Sequence, residues 1–223
     1  MKVFDNIDFN GIKVELLGTF MFFYVGGWAV INTTVTNNSD DCSCALAHMI
    51  TLGLMIWSGS FVSGGHFNPA VTTCFIVFKR IHWLKGLFYI LAQLLGGLFA
   101  AALLKVIVSN DSTDLTLNKS INGFPILTLD WWKQCIIEFV GTFFLMTVVY
   151  MTAVDTRASS DPVHGMAIGG VVGFMLLAGP PGSASAFNPA RAFCPMLIDC
   201  TNGEFKMVWI WIVFPIAGAI VAG

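Results

Sequence analysis

The tripeptide Asn-Pro-Ala occurs twice, as Asn68-Pro69-Ala70 and Asn188-Pro189-Ala190, each time inside an apolar stretch too short to cross a bilayer. Asn is a strong helix N-cap because its side-chain oxygen accepts from an orphan backbone N–H, and Pro suits the first helical position, where a missing N–H costs nothing. Each copy therefore reads as a helix start. The first predicted helix, 69–79, is about 16 Å long at 1.5 Å per residue, half of a hydrocarbon core about 30 Å thick. The second is 189–198. Gly64-Gly65 and Pro180-Pro181-Gly182 cut the two off from the segments before them. An Asn that caps with its oxygen keeps its NH2 to donate beyond the helix end, where the positive end of the dipole also points. The plainer alternative is that both residues only cap.

In a soluble protein such a helix start could hold an anion, whereas at membrane depth it argues for a lined pathway, and the composition fits a membrane. Of 223 residues, 56% are hydrophobic and 11% charged, with a mean hydropathy of +0.78, against about 25% charged in an ordinary globular domain. This is the pattern of an all-α integral membrane protein. A net charge of −2 argues against a nucleic-acid partner, and the length suits one transmembrane domain over 1–223. Asp5 and Asp8 and the lack of a basic n-region speak against a removable signal peptide, so the first span is expected to serve as its own signal. Six apolar segments read as spans: 12–31, 45–62, 84–108, 131–154, 163–178 and 207–223. The last stops at Gly223 with no polar tail and is read as trimmed there.

The halves repeat. Val14-Glu15-Leu16-Leu17-Gly18-Thr19-Phe20 recurs 123 residues on as Ile137-Glu138-Phe139-Val140-Gly141-Thr142-Phe143, and Phe67-Asn68-Pro69-Ala70 recurs 120 residues on as Phe187-Asn188-Pro189-Ala190. Three spans per half, 12–108 and 131–223, is an odd number, so the second half enters from the opposite face. Inverted repeats bring both half-helix N-termini together near the midplane. A cytosolic N-terminus puts Lys2, Lys13, Lys79, Arg80, Lys85 and Arg157 inside and Lys105, Lys119, Lys133 and Lys206 outside, a modest positive-inside bias. The same orientation places four N-glycosylation sequons, beginning at Asn32, Asn37, Asn110 and Asn118, in outer loops. A plasma membrane or another membrane of the secretory route is the expected home.

Two such tripeptides, with Arg191 following the second, the matched Glu-x-x-Gly-Thr-Phe segments and the six-plus-two layout resemble the aquaporin family over essentially the whole chain. Ala45-Leu46-Ala47-His48 and Ser63-Gly64-Gly65-His66-Phe67 look most like its aquaporin-eight branch, whose members pass water, ammonia and hydrogen peroxide. The glycerol-conducting branch usually has Asp directly after the pore Arg; here that residue is Ala192. The resemblance implies a homotetramer in the lipid bilayer with one pore per chain. It also implies a constriction formed by Arg191 with three residues, carried onto His48, Leu176 and Ser185 by their offsets from the two Asn residues. Water-selective relatives usually have Phe at the position of His48 and His at that of Leu176, so a wider opening is expected, with His48 and Arg191 as its polar contacts. His48 invites a pH gate or a neutral imidazole beside Arg191.

The remaining polar residues have structural readings. Glu15 and Glu138 sit inside spans, where a carboxylate without partners is too costly, so they are expected to accept from the re-entrant loop backbones; a proton relay is the sharper alternative. His66 either lines the pore or braces its loop, while His82 and His164 read as interfacial. Phe67 and Phe187 are expected to pack, and Gly165, Gly169 and Gly173 form a ridge for close helix approach, with Gly96 and Gly97 on the third span. Trp83, Trp131 and Trp132 read as interface anchors. Cys42, Cys44 and Cys200 fall outside, where either a disulfide or free thiols are allowed; Cys42-x-Cys44 lacks the partners a zinc site needs.

These residues point to a passive channel for water and small neutral solutes that excludes protons and ions. A coupled secondary transporter and a glycerol- or urea-conducting channel are the alternatives, with a membrane-junction role as a third. Coupling needs ionisable groups along the path, of which only His48 and Arg191 are proposed. No enzyme constellation, metal site or cofactor motif emerges.

Overall fold

The computed structural model describes residues 8–35, 41–109, 120–121, 124–125, 127–155, 157, 163–198 and 204–223. Asn37, Asn110, Asn118 and Cys200 lie outside these; Asn32 is exposed in the last turns of the first helix. Among the described residues eight α-helices follow one another: α1 Phe9–Val35, α2 Asp41–Ser63, α3 Pro69–Val77, α4 Trp83–Ser109, α5 Trp131–Val149, α6 His164–Leu177, α7 Pro189–Ile198 and α8 Trp209–Ala222. A two-residue antiparallel ladder, Ser120–Ile121 against Phe124–Pro125, is the only strand pairing among the described residues.

Among the described residues five helical segments are long and apolar enough to cross a membrane. The expected fifth span is shorter: α6 has 14 residues, about 21 Å, because Gly179 and Pro180 follow it and the residue before a proline is driven out of the helical region. The first half-helix also stops early, at Val77 rather than Lys79. Lys79 adopts a left-handed φ of 56° and the Arg80 N–H turns back to the Phe75 carbonyl at 2.8 Å, closing the helix end. At the far end of α5 the chain widens into a π-helical turn, Tyr150–Val154.

Pairings in the first half recur in the second. α1 packs on α4 and α5 on α8; α4 packs on α7 and α3 on α8; α2 meets α6 and α3 meets α7 across the pseudo-twofold. The same chemistry sets both crossings. A Cβ on Gly96 would come 2.3 Å from the Leu16 carbonyl oxygen, and one on Gly218 2.2 Å from that of Phe139, so backbones touch where packing replaces hydrophobic drive. The Gly165, Gly169 and Gly173 ridge lies against α2 in the same way.

Asp8 pairs with Lys85 at 3.1 Å and the Phe75 and Tyr150 rings stack at 6.1 Å, which puts the starts of α1 and α4 and the ends of α3 and α5 at one end of the bundle. Lys105 Nζ donates to the Ile198 carbonyl at 3.0 Å, so α4 and α7 finish at the other. α5 therefore runs against α1, and the repeats are inverted. The main buried cluster, including Phe22, Phe67, Cys74, Met146 and Cys194, surrounds the two half-helices.

Candidate functional site

Each half-helix begins on a loop held by a buried carboxylate. Glu15 accepts from Ser63 Oγ at 2.7 Å, from the backbone N–H groups of His66 and Phe67 at 2.9 and 2.7 Å, and from Gln93 Nε2 at 2.8 Å. Glu138 accepts from Gln134 Nε2 at 3.0 Å and from the N–H groups of Ala186 and Phe187 at 2.7 and 2.8 Å. In both loops the residue before Asn is a phenylalanine in the left-handed region, with φ of 45° at Phe67 and 54° at Phe187. A bulky residue there costs about 1–3 kcal/mol and persists only where its surroundings dictate it. The glutamate fixes the Phe N–H, and a glycine one turn along the same helix receives the ring: a Cβ on Gly18 would lie 2.2 Å from Phe67 Cε1, and one on Gly141 2.1 Å from Phe187 Cε1. This is the physical content of the repeated Glu-x-x-Gly.

The strained turn aims each Phe carbonyl at the opposite half-helix. Asn68 caps α3 by accepting from the Ala70 N–H at 2.9 Å, and its Nδ2 donates to the Phe187 carbonyl at 2.8 Å. Asn188 accepts from the Ala190 N–H at 3.1 Å and donates to the Phe67 carbonyl at 2.9 Å. The two tips are thus tied across the pseudo-twofold. Of the two N–H groups that each amide carries, one on each Asn is committed to the facing loop.

A cavity of about 430 Å³ runs from the Asn pair to the end of the bundle where α1 starts; Asn68, Asn188, His66, Phe22, Asp155 and His164 are among its lining. His66 does two things there. It lines the cavity, and its Nδ1 pairs with Thr72 Oγ1 at 3.1 Å while the ring packs on Phe75 at 4.6 Å. Thr72 in turn donates to the Asn68 carbonyl and accepts from Gln93 Nε2, at 3.0 and 2.9 Å. His164, read as interfacial, begins α6 and lines this cavity.

On the other side of the Asn pair, His48, Ser185 and Arg191 come together, all buried. Arg191 Nε donates to His48 Nε2 at 3.1 Å and its Nη1 donates to the Ser185 carbonyl. A guanidinium only donates, so His48 Nε2 is an acceptor and the proton sits on Nδ1, which donates to the Cys44 carbonyl at 2.8 Å. Both ring nitrogens are committed to protein, which corrects the expectation that His48 offers a polar contact to a solute. Ser185 Oγ donates to Ser183 Oγ at 3.2 Å. Leu176, in the last turn of α6, is partly buried against the core cluster that holds Phe22 and Val172.

Sequence reasoning quoted Ser63 without giving it a partner and passed over Thr72, Gln93 and Gln134. A glutamine inside an apolar span carries the same signal as a glutamate there, a buried polar group that must find partners. Cys42 carries a free, exposed thiol, and Cys44 Sγ lies 3.8 Å from His48 Nδ1.

The model of the family described as major intrinsic protein matches residues 8–223. Aquaporin TIP4-4 of Zea mays is 34% identical over 96% of this chain and 84% of its own length, and Nodulin-26 of Glycine max is 30% identical over 94% and 73%. Aquaporin NIP1-1 of Oryza sativa subsp. japonica is 31% identical over 94% and 70%. The X-ray structure of the aquaglyceroporin from Plasmodium falciparum overlays with a TM-score of 0.79 over 95% of this chain and 92% of that one, at 21% identity, a likeness of fold. The three sequence relatives are plant proteins of TIP, NIP and nodulin type, and the narrower likeness to the aquaporin-eight branch finds no support in them.

Proposed function

Because the chain belongs to the major intrinsic protein family, a family of channels rather than enzymes, we propose that it is a passive pore for water and small neutral solutes. The observation that carries this reading is the cross-tied Asn pair at the head of a cavity that reaches one end of the bundle. The second N–H of each Asn is the donor a passing oxygen meets, and two opposed helix N-termini make that point electropositive, against H3O+ and other cations. A water held by both donors does not pass a proton along the file.

His48, Leu176, Ser185 and Arg191 are the selectivity filter in this reading. A buried arginine facing a lumen repels cations, and Leu176 supplies an apolar wall. Ammonia and hydrogen peroxide fit such an opening beside water; Ala192 after the arginine speaks against glycerol. The lysine and arginine distribution supports a cytosolic N-terminus, so the large cavity is the inner vestibule. A homotetramer with one pore per chain is the assembly that goes with it.

Proteoliposomes holding the protein are expected to shrink faster than empty ones in stopped-flow osmotic shock, with a low activation energy, and to take up ammonia or peroxide faster. An unchanged rate with folded protein ends the reading.

A further inference from the structure

Gly26 lies on α1, one turn above Phe22 and beside the imidazole of His48. A Cβ at Gly26 would stand 2.4 Å from His48 Nε2, 2.8 Å from Cδ2 and 2.9 Å from Cε1, so the ring is seated directly against the α1 backbone. Phe22 closes the seat from below, its ring edge-on to the imidazole at 5.8 Å and 89°. α1 thus provides a floor and a notch. The atom nearest the missing Cβ, Nε2, is also the atom that accepts from Arg191 Nε at 3.1 Å. Even an alanine at 26 has to displace Nε2 by about 1 Å to restore ordinary van der Waals distance, and the ring is blocked from retreating by α1 itself. It moves toward the lumen or lets go of Arg191.

The repeat shows that the fold does not demand glycine here. The position 123 residues on, equivalent through the Glu-x-x-Gly alignment, is Val149, a buried residue that lines the large cavity. Phe22 and its counterpart Leu145 line the same cavity. The second half carries a branched side chain where the first has hydrogen, and it is against the first that an imidazole tied to Arg191 is seated.

We propose that Gly26 is a specificity-determining residue of the pore: by letting His48 lie back against α1 and hold Arg191 to that wall, it sets the size limit of the constriction. The proposal rests on the channel reading above and names a fifth position, outside the four that form the filter. It touches the solute only through His48, so its signature is a change in which solutes pass.

The test measures permeability of proteoliposomes to water, hydrogen peroxide, formamide and urea for the wild type, Gly26→Ala, His48→Ala and the double variant. Gly26→Ala is expected to cut the flux of the largest solute that the wild type passes at least fivefold, with water flux falling less than twofold. In the His48→Ala background the same substitution is expected to leave the series unchanged, because the atoms it collides with are gone. Equal loss of all solutes, or the same shift in both backgrounds, overturns the proposal and leaves the channel reading intact. Wild-type flux no greater than that of empty liposomes overturns both. Should Gly26→Ala not fold, Gly26→Val in the His48→Ala background refills the vacated seat from α1 and is expected to narrow the widened cut-off back toward wild type; no narrowing defeats the proposal.

Discussion

Behind the first half-helix the Glu15 carboxylate takes four donors, drawn from α4, the end of α2 and the loop backbone. Behind the second, Glu138 takes three, and its side-chain donor, Gln134, comes from one turn back on the same helix. Gln134 compensates by also accepting from the Ala184 N–H at 3.2 Å. α8 has Pro215 where the repeat would put a counterpart of Gln93, so the second half supports its loop from α5. What the halves share without exception is nearest the midplane: the capping Asn, the left-handed Phe, its carbonyl aimed across the axis and the glycine under its ring. Those features face their own copies, so a change in one leaves a mismatch in the other. The supports behind them are free to differ as long as each buried carboxylate is satisfied.

That contrast makes the carboxylates the most damaging positions to change, and unequally so. Each buried donor left without an acceptor costs about 1–3 kcal/mol, and a domain holds only about 5–15 kcal/mol in all. Glu15→Ala strands four donors and Glu138→Ala three, so neither is expected to yield folded protein. Glu15→Gln and Glu138→Gln keep one acceptor oxygen and test the difference: thermal unfolding in detergent is expected to show the lower midpoint for Glu15→Gln. A lower midpoint for Glu138→Gln would show that the number of donors is not what distinguishes the cradles.

The glutamines reverse the order. Gln93→Ala removes one of four donors to Glu15 and one of the partners of Thr72. Gln134→Ala removes one of three donors to Glu138 and also leaves the buried Ala184 N–H without its acceptor. The expected costs are about 1–2 kcal/mol for Gln93→Ala and about 1 kcal/mol more for Gln134→Ala, read from the same melting curves. Equal costs would sharpen the picture differently, by showing that the loop before α7 relaxes to satisfy Ala184 elsewhere.

How far the sequence discloses this arrangement follows the same division. The half-helix starts are legible because Asn-Pro is a local signal, and the inverted plan follows from an odd number of spans per repeat. The Asn-to-Phe ties across the axis are not legible: they depend on a φ near 50° at Phe67 and Phe187, which no propensity assigns to phenylalanine. The seat of His48 is hidden for a related reason. His48 and Gly26 lie on different helices, and the tautomer that spends both ring nitrogens follows only once Arg191 is placed beside it. Gln93 and Gln134 were readable as buried polar residues, but not their partners, since one reaches between helices and the other along its own.

The smallest expected effect is at the helix starts, where the halves also differ. Asp8 caps α1, its Oδ1 accepting from the Gly11 N–H at 2.9 Å, with Lys85 Nζ at 3.1 Å on Oδ2. Asp130, which precedes α5, makes no side-chain cap bond and instead pairs with Lys133 at 2.7 Å. The Gly11 N–H, followed by Lys85, holds the Asp8 carboxyl below its ordinary range. A carboxyl lowered on folding contributes stability above its unfolded pKa, about 3.9, and loses it as pH falls through the folded value. Asp8→Asn keeps a capping oxygen but gives up the charge, so it is expected to cost under about 1 kcal/mol at pH 7, the scale of a partly exposed cap and ion pair. The difference from wild type should shrink as pH falls and vanish only below the folded pKa of Asp8. Asp130→Asn, with no cap to lose and an exposed pair to give up, is expected to shift the melting midpoint less at pH 7. An Asp130→Asn effect equal to that of Asp8→Asn would mean that the two helix starts are held alike in the membrane, and that the difference between their caps carries no weight.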